Sequence, residues 1–95
     1  MLNNNGIDLQ NKLRALLGHD QIEVRSSGSN LLLQLIEEGK LETIARLTKI
    51  GPNLYGAAFR TNKGRWEPLP VEGNLLEAGE CVVDMLRPYF AIYKF

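Results

Sequence analysis

The feature that most constrains the fold of this chain is the regular spacing of its turn sequences. Four clusters, each containing Gly, interrupt the stretch between residues 21 and 70, and the segments between them are short and rich in β-branched or aromatic residues. Such segments are typical of strands. Loops of about four residues force neighbouring strands to run antiparallel, because a parallel crossover needs a dozen residues or more. The clusters at 26–29, 37–40, 51–53 and 61–64 therefore predict successive hairpins.

Five strands are predicted from these segments. The segment 41–50 is the least clear, because Leu41, Ile44 and Leu47 recur every three residues and the Gly-Pro pair that follows is also a helix stop. We favour a strand, since a strict three-residue repeat drifts around a helix and the segment is rich in residues that prefer strands. The predicted strands are 21–25, 30–36, 41–50, 54–60 and 65–69.

A helical pattern precedes the strands. Asp8 is a suitable N-cap for a helix over 9–17, which places four leucines on one stripe, and Gly18 is a natural stop. The polar residues 1–7 are expected to be frayed.

A second helical pattern follows the strands. Asn74 and Glu77 have the spacing of a capping pair, and an apolar stripe comes after them. Pro88 should end or kink this helix near Arg87 and leave 89–95 as a short apolar tail. The stripe contains Leu75, Leu76, Gly79, Val82, Val83, Leu86 and Phe90.

These elements predict one domain over 1–95 with an α+β fold. It consists of an N-terminal helix, an antiparallel β-meander of four to five strands, and a C-terminal helix packed on one face of the sheet. A chain of 95 residues buries about two-thirds of its surface, which is enough for one core. Its 44 % hydrophobic and 23 % charged residues are those of an ordinary globular domain.

The alternation of side chains along the second strand predicts an apolar sheet face without a cover. Leu31, Leu33 and Leu35 point to one side of the sheet, whereas Leu32 and Ile36 point to the other. Two helices cover only one face of a five-stranded sheet. An exposed apolar patch therefore remains unless loops or the tail fold over it, and such patches commonly mark partner-binding surfaces.

The fourth strand is predicted to have one bulky side and one nearly bare side. Tyr55, Ala57 and Phe59 share the bulky side, and Gly56 and Ala58 lie on the bare side. A hollow over the two small residues would suit a small ligand. Small strand residues also occur simply beneath a helix or tail, so both interpretations stay open.

The segment 64–70 contains the only Trp and two prolines. Trp66 is suited to be an interface anchor, because Trp is enriched among binding hot spots. The simpler interpretation, which we favour for this residue, is that Trp66 closes the end of the core. Pro68 cannot donate to a sheet ladder, so the fifth strand is predicted to be an edge strand.

The charges cancel overall but are unevenly distributed. Eleven basic and eleven acidic residues give a formal charge of zero, which argues against binding polyanions over the whole surface. The region 40–66 nevertheless has six basic residues and one acid, a composition that suits a basic face for nucleic acid. Glu37 and Glu38 should offset the charge at one end of the sheet. The residues left for nucleic-acid binding are Arg46, Arg60, Lys63 and Arg65.

No set of residues predicts catalysis, a metal site or a cofactor. His19 is the only histidine, and after a helix it is more typical of a surface residue that interacts with the helix dipole. The serines of 26–29 lack the motif that positions a hydrolase nucleophile. The acidic residues Glu77, Glu80 and Asp84 follow the spacing of any solvated helix face.

The sequence favours a cytoplasmic protein. The start MLNNNGIDLQ lacks the basic and apolar pattern of a secretory signal, and no apolar run approaches the roughly 20 residues that span a membrane. Cys81 has no partner for an intramolecular disulfide. We expect Cys81 to be a small buried residue of the second helix.

We therefore expect a non-enzymatic interaction or accessory module that binds a protein partner or a second copy of itself. Binding would use the apolar sheet face or the Trp66 edge. A nucleic-acid-binding regulator that uses the region 40–66 is the alternative, and a small-ligand-binding module is the second. The residues predicted to contact a protein partner are Trp66, Tyr55, Phe59, Leu32 and Ile36.

Overall fold

The computed structural model describes residues 4–90 and has the predicted order of elements. An N-terminal helix leads into a five-stranded antiparallel meander, and a C-terminal helix packs on the sheet, so the predicted α+β fold is confirmed. The elements are α1 (Asn4–Leu17), β1 (Ile22–Ser27), β2 (Asn30–Glu37), β3 (Lys40–Gly51), β4 (Leu54–Arg60), β5 (Trp66–Gly73), α2 (Leu75–Met85) and α3 (Arg87–Phe90).

Each strand of the sheet pairs with its neighbours in the sequence. The strand order is β1-β2-β3-β4-β5, and all four pairings are antiparallel. The segment with the three-residue repeat is strand β3, as favoured from its propensities. Two residues in left-handed conformation, Glu38 (φ 50°) and Gly39 (φ 77°), form the turn between β2 and β3. Their backbone matches the twist of a two-residue hairpin.

The first helix is longer than predicted. It begins at Asn4, so Asp8 lies inside the helix and the N-cap predicted there is wrong. Gly6, in the part of the helix before Asp8, is buried. The predicted stop is confirmed: Gly18 has a φ of 73°, and its N–H donates to the carbonyl of Arg14 over 2.9 Å. Residues 1–3 of the segment expected to fray lie outside the described residues.

The second helix begins with the predicted capping pair. The Oδ1 atom of Asn74 accepts from the Glu77 backbone N–H at 2.9 Å, and the Asn74 N–H donates to Oε1 of Glu77 at 3.2 Å. Helix α2 ends at Met85, and the short helix α3 with Pro88 follows, as expected for a break near Arg87. Phe90 of the predicted tail is fully buried, and 91–95 lie outside the described residues.

Two predictions about the apolar stripe of α2 are wrong. Cys81 is exposed, and Leu76 is 38 % exposed. An α-helix has 3.6 residues per turn, and both residues are adjacent in sequence to a residue of the buried stripe without belonging to it. Ala78 lies on the stripe and is fully buried. The buried residues of α2 are Leu75, Ala78, Gly79, Val82 and Val83.

The core lies between the sheet and the helices. Leu9 and Leu13 of α1 are fully buried against it, and Gly79 of α2 leaves room for the Leu9 side chain. From the sheet, the core takes Leu31, Leu33 and Leu35, which share one side of β2 as predicted. This side of the sheet is called the helix face below.

Both edges of the sheet are protected against pairing with another strand. On β1, the N–H of Val24 donates to Oε1 of Gln10 at 2.9 Å, and Nε of Arg14 donates to the carbonyl of Ile22 at 3.0 Å. The side chains of α1 thus occupy backbone groups that an added strand would use. Strand β5 forms the other edge, as Pro68 predicted, and it also contains Pro70.

His19 is half-buried and not the surface residue that the sequence suggested. Its Nδ1 accepts from the Gln21 backbone N–H at 3.1 Å, so Nε2 carries the proton and donates to the carbonyl of Phe90 at 2.8 Å. The ring therefore joins the loop after α1 to α3. The helix-dipole argument missed this role because Phe90 is distant in sequence.

None of the helices in the described part of the chain is long and apolar enough to cross a membrane.

Candidate binding face

No described helix covers the second face of the sheet, which we call the open face. The strand register places its side chains in rows that run across the five strands. The central row contains Arg25, Leu32, Arg46, Ala58 and Pro68, because each is the register partner of the next. The open face further includes Glu23, Gln34, Ile36, Leu41, Thr43, Thr48, Ile50, Leu54, Gly56, Arg60, Trp66 and Glu72.

Trp66 and two arginines form a cluster on the open face. The Cζ atom of Arg46 lies 4.5 Å from the centroid of the Trp66 ring, and that of Arg60 lies 5.2 Å from it. Strand β4 lies between the strands of Trp66 and Arg46. The β4 residue that pairs with Arg46 is Ala58, which is 8 % exposed. The small Ala58 side chain lets the indole and the Arg46 guanidinium meet above β4. Each cation–π contact contributes about 0.5–1 kcal/mol at such a surface.

The guanidinium N–H groups of Arg46 have no hydrogen-bond acceptor among the described residues. Its Nε is buried and has no hydrogen-bond partner, and no described acceptor bonds the other guanidinium nitrogens. The guanidinium is therefore held by its stacking on Trp66. Nε alone of its guanidinium nitrogens is found buried without a partner, so the other nitrogens are the ones that a ligand can reach.

Gln34 is the only buried polar residue among the described ones, with 5 % of its surface exposed. Its Nε2 donates to Oγ1 of Thr43 at 3.0 Å, but its Oε1 has no partner. Gln34 follows Leu32 by two positions on β2, and Leu32 is the register partner of Arg46. Gln34 and Arg46 thus belong to neighbouring rows of the open face.

The arginines of the open face have no ion-pair partner in the described part of the chain. The ion pairs found there join Lys12 to Glu80 and Arg87 to Asp84. All four residues belong to helices and not to the sheet. The open face has acidic residues on the edge strands alone, namely Glu23 on β1 and Glu72 on β5. Of its three central strands, β3 and β4 each carry an arginine on this face, and none of the three carries a carboxylate there, so the middle of the face is electropositive.

Apolar side chains surround the arginine cluster. Leu41 is 46 % exposed and Ile50 is 52 % exposed, at opposite ends of β3. Leu32 and Ile36 are half-buried on β2. The open face therefore combines a positive centre with an apolar surround.

The structure brings together some of the residues predicted to contact a protein partner. Trp66, Leu32 and Ile36 share the open face. Tyr55 and Phe59 lie on the helix face, where they are half-buried and pack against the core. The alternative that Trp66 closes the core does not hold, because Trp66 is half-buried on the opposite side.

The residues predicted to contact nucleic acid also divide into two groups. Arg46 and Arg60 flank Trp66 on the open face. Lys63 and Arg65 lie in the loop between β4 and β5, beside an open cleft of about 740 Å³ at the end of the sheet. The cleft has carboxylates as well as cations in its wall, so it does not present one sign of charge. Its wall contains Glu42, Thr43, Ile44, Phe59, Arg60, Thr61, Asn62, Lys63, Arg65, Glu67, Leu86 and Tyr89.

The small residues of β4 do not line the 740 Å³ cleft or a second cavity of about 240 Å³. A Cβ atom at Gly56 would lie 3.6 Å from Cδ1 of Ile50, and Ala58 is buried near the Trp66 cluster. Larger side chains from neighbouring strands therefore occupy the space above them. A ligand hollow at this place stays a prediction.

The acidic residues of α2 each have another contact. Glu77 completes the capping pair, Glu80 pairs with Lys12, and Asp84 pairs with Arg87. Within residues 4–90, no group of three His, Cys, Asp or Glu side chains is arranged to hold a metal ion.

Two residues of the open face were not singled out from the sequence. Arg25 joins the central row because the two-residue turn at 28–29 pairs it with Leu32. The turn sequence was therefore a signal from which the register of β1 against β2 could have been predicted. Gln34 gave no signal, since its burial depends on side chains from other strands.

Comparison of the chain with protein-family models, curated proteins and solved structures found no significant match.

Proposed function

We propose that this protein is a binding module whose open face docks a protein partner or a second copy of itself. The observation that carries the proposal is the combination on one sheet face of exposed apolar side chains with arginines that have no counter-charge. A surface of this kind is unfavourable in water alone and favourable beneath a partner.

The mode of binding is docking onto the face and not addition of a strand. Gln10 and Arg14 occupy backbone groups of β1, and Pro68 and Pro70 lack the N–H that an added strand would accept from β5. The sheet edges are thus poor templates. The face remains as the surface available to a partner.

The proposal is for a protein that is not an enzyme and that works in the cytoplasm. Both ring nitrogens of His19 are engaged by backbone groups, which leaves the only histidine unsuited to act as a general base. Cys81 is single, and an exposed unpaired thiol is typical of a reducing compartment.

The proposal is tested by capture of partners from a lysate of the source organism with three baits. Leu32→Asp places a charge on the open face, whereas Ile7→Asp, at a residue 43 % exposed on α1, is the matched control. We expect a partner that binds the wild type and Ile7→Asp and is lost with Leu32→Asp. Light scattering of the same three proteins over a range of concentrations detects self-association.

Two results would contradict the proposal. One is a partner that binds all three baits equally, since it would use another surface. The other is a monomer at every concentration without any partner that is sensitive to Leu32→Asp. Circular dichroism of each variant excludes unfolding as the cause of a loss.

A second candidate function is nucleic-acid binding, and the Trp66 cluster favours it. An aromatic ring beside Arg46 and Arg60 resembles the combination of stacking and charge used by single-strand binders. This function requires affinity that falls steeply with salt. Absence of retention on heparin at low ionic strength would rule it out.

A further inference from the structure

We infer that the partner presents an acidic amphipathic helix to the open face. Its carboxylates pair with Arg46 and Arg60, and its apolar stripe packs on Leu32, Ile36 and Trp66. This inference rests on the proposed function, because it names the partner of the same surface.

The first step concerns what the arginines can bind. The Arg46 guanidinium is stacked at 4.5 Å from the Trp66 centroid, and its Nε is buried without an acceptor. The contact with the ring holds the guanidinium in place, so little side-chain freedom is lost when its two terminal nitrogens form parallel hydrogen bonds. A carboxylate is the protein group that accepts such a pair. Arg60, which approaches the same ring, adds a second positive charge.

The second step concerns which protein supplies the carboxylates. Arg46 lies on β3, the central strand of the sheet. A two-fold dimer that stacked two open faces around their centres would bring Arg46 close to Arg46 of the second copy, and like charges at an interface centre are unfavourable. The acids of the open face, Glu23 and Glu72, lie on the outer strands. An acidic partner therefore fits the middle of the face better than a second copy does.

The third step concerns the shape of the partner. Strand addition is disfavoured at both edges, so the partner docks on the face, and the shortest helix that contacts all five strands lies across them. Five strands span about 19 Å from the first to the last axis, which a helix of about 13 residues crosses. An amphipathic helix of that length provides an apolar stripe, and acidic residues beside the stripe lie over the arginines.

The apolar residues of the open face distinguish between a protein helix and a nucleic acid as the partner. Leu41 and Ile50 are about half exposed, and phosphates and sugars would leave them without apolar contacts. The Trp66 ring is already stacked against guanidinium groups, which compete with a base for its face. The observations thus favour a protein helix over a nucleic acid.

The test is a titration of the ¹⁵N-labelled protein with two synthetic helical peptides of 14 residues. Both have the same Leu and Phe stripe, but one has Glu beside the stripe and its control has Gln at those positions. We expect the Glu peptide to shift the amide signals of β2 and β3 and the Trp66 indole N–H. Its affinity should exceed that of the Gln peptide about tenfold, which corresponds to one favourable charge pair.

Variants locate the charge preference. Arg46→Gln with Arg60→Gln should abolish the preference for Glu over Gln, whereas Lys12→Gln, on the side of α1 that pairs with Glu80, should retain it. The spectrum of each variant without peptide reports whether its fold is intact.

Three outcomes would overturn the inference. If the Gln peptide binds the open face as well as the Glu peptide does, an acidic partner is excluded and the proposed docking function remains. If neither peptide shifts open-face signals at millimolar concentration, a helix is excluded, and the capture experiment still decides the proposed function separately. If an oligouridine of 12 nucleotides displaces the Glu peptide and binds more tightly, the partner is a nucleic acid.

Discussion

At the scale of single residues, Gln34 shows that this fold tolerates an incompletely bonded amide. The side chain donates to Thr43, but its Oε1 accepts nothing although it is buried. An unsatisfied buried polar group costs about 1–3 kcal/mol of stability. A Leu, Ile or Val at this position would avoid that cost, so the amide is a residue that stability alone does not explain.

We expect the double variant Gln34→Leu with Thr43→Val to be at least as stable as the wild type. Both members of the hydrogen bond are replaced together by apolar groups of similar shape, a change that is neutral or stabilising. Gln34→Leu alone should be the less stable variant, because it leaves the Thr43 hydroxyl without its donor. Urea denaturation of the two variants and the wild type measures the free energies of unfolding. A double variant less stable than the wild type by more than about 1 kcal/mol would show that Gln34 has a stabilising role that the structure does not reveal.

Side-chain alternation was enough to predict which residues of one strand share a side, but not which face of the sheet is covered by the helices. Leu32, Ile36 and Ala58 lie on the side that the period of two predicts. The meeting of Arg46 with Trp66 was not predictable, because the two residues are 20 positions apart and belong to non-adjacent strands. It depends on the register of the β3–β4 and β4–β5 hairpins, including the irregularity in β3 between Lys49 and Gly51.

At the scale of elements, the contact between α1 and α2 depends on a missing side chain. A Cβ atom at Gly79 would overlap Cδ1 of Leu9, which is fully buried. The sequence placed Gly79 on the apolar stripe without a reason for glycine in the middle of a helix. The structure gives that reason, since the two helices approach each other at this point.

We expect Gly79→Ala to destabilise the protein by about 1–3 kcal/mol, as overpacking of a core does. The direction of the change in stability is informative, because helix propensity alone would favour Ala over Gly by about 1 kcal/mol. Thermal unfolding followed by circular dichroism measures the effect.

The cause of this destabilisation is tested by adding Leu9→Ala, which removes the overlapping atoms. In that background Gly79→Ala should no longer destabilise the protein, so the two substitutions are strongly non-additive. Equal costs of Gly79→Ala in both backgrounds would contradict the packing explanation.

Two helix boundaries are determined by local chemistry and were predicted, whereas the first part of α1 was not. The Asn74 capping pair and the Gly18 stop depend on atoms within a few residues, and both were predicted. The helical conformation of residues 4–8 was not predicted, because the pattern of apolar residues was counted only from Leu9. Exposed Cys81 illustrates the same limit, because one position along a helix decides between core and solvent.

At the scale of the whole molecule, both edges of the sheet are protected against pairing with another strand, and one face is not covered by a described helix. Side chains of α1 protect β1, and prolines protect β5. Such protection keeps a small sheet protein from uncontrolled strand pairing. It also directs association toward the open face.

We expect the double variant Pro68→Thr with Pro70→Thr to associate more strongly than the wild type. The substitutions restore backbone donors on an edge strand and add residues that favour strands. Sedimentation velocity at several concentrations measures the association. Glu67→Thr, an exposed β5 substitution that restores no donor, is the matched control. An unchanged monomer fraction in the proline variant would show that these prolines do not protect the edge.

The contact between Leu9 and Gly79 has a consequence for the protein during its synthesis. All strand pairings join neighbours in the sequence, so each hairpin can form soon after its second strand leaves the ribosome. The buried side of α1 must wait for a residue 70 positions later in the chain. At 5–20 residues per second, the delay is on the order of ten seconds. During that interval Leu9 and Leu13 lack the cover of α2, so the nascent chain is most in need of a chaperone at its N-terminal helix.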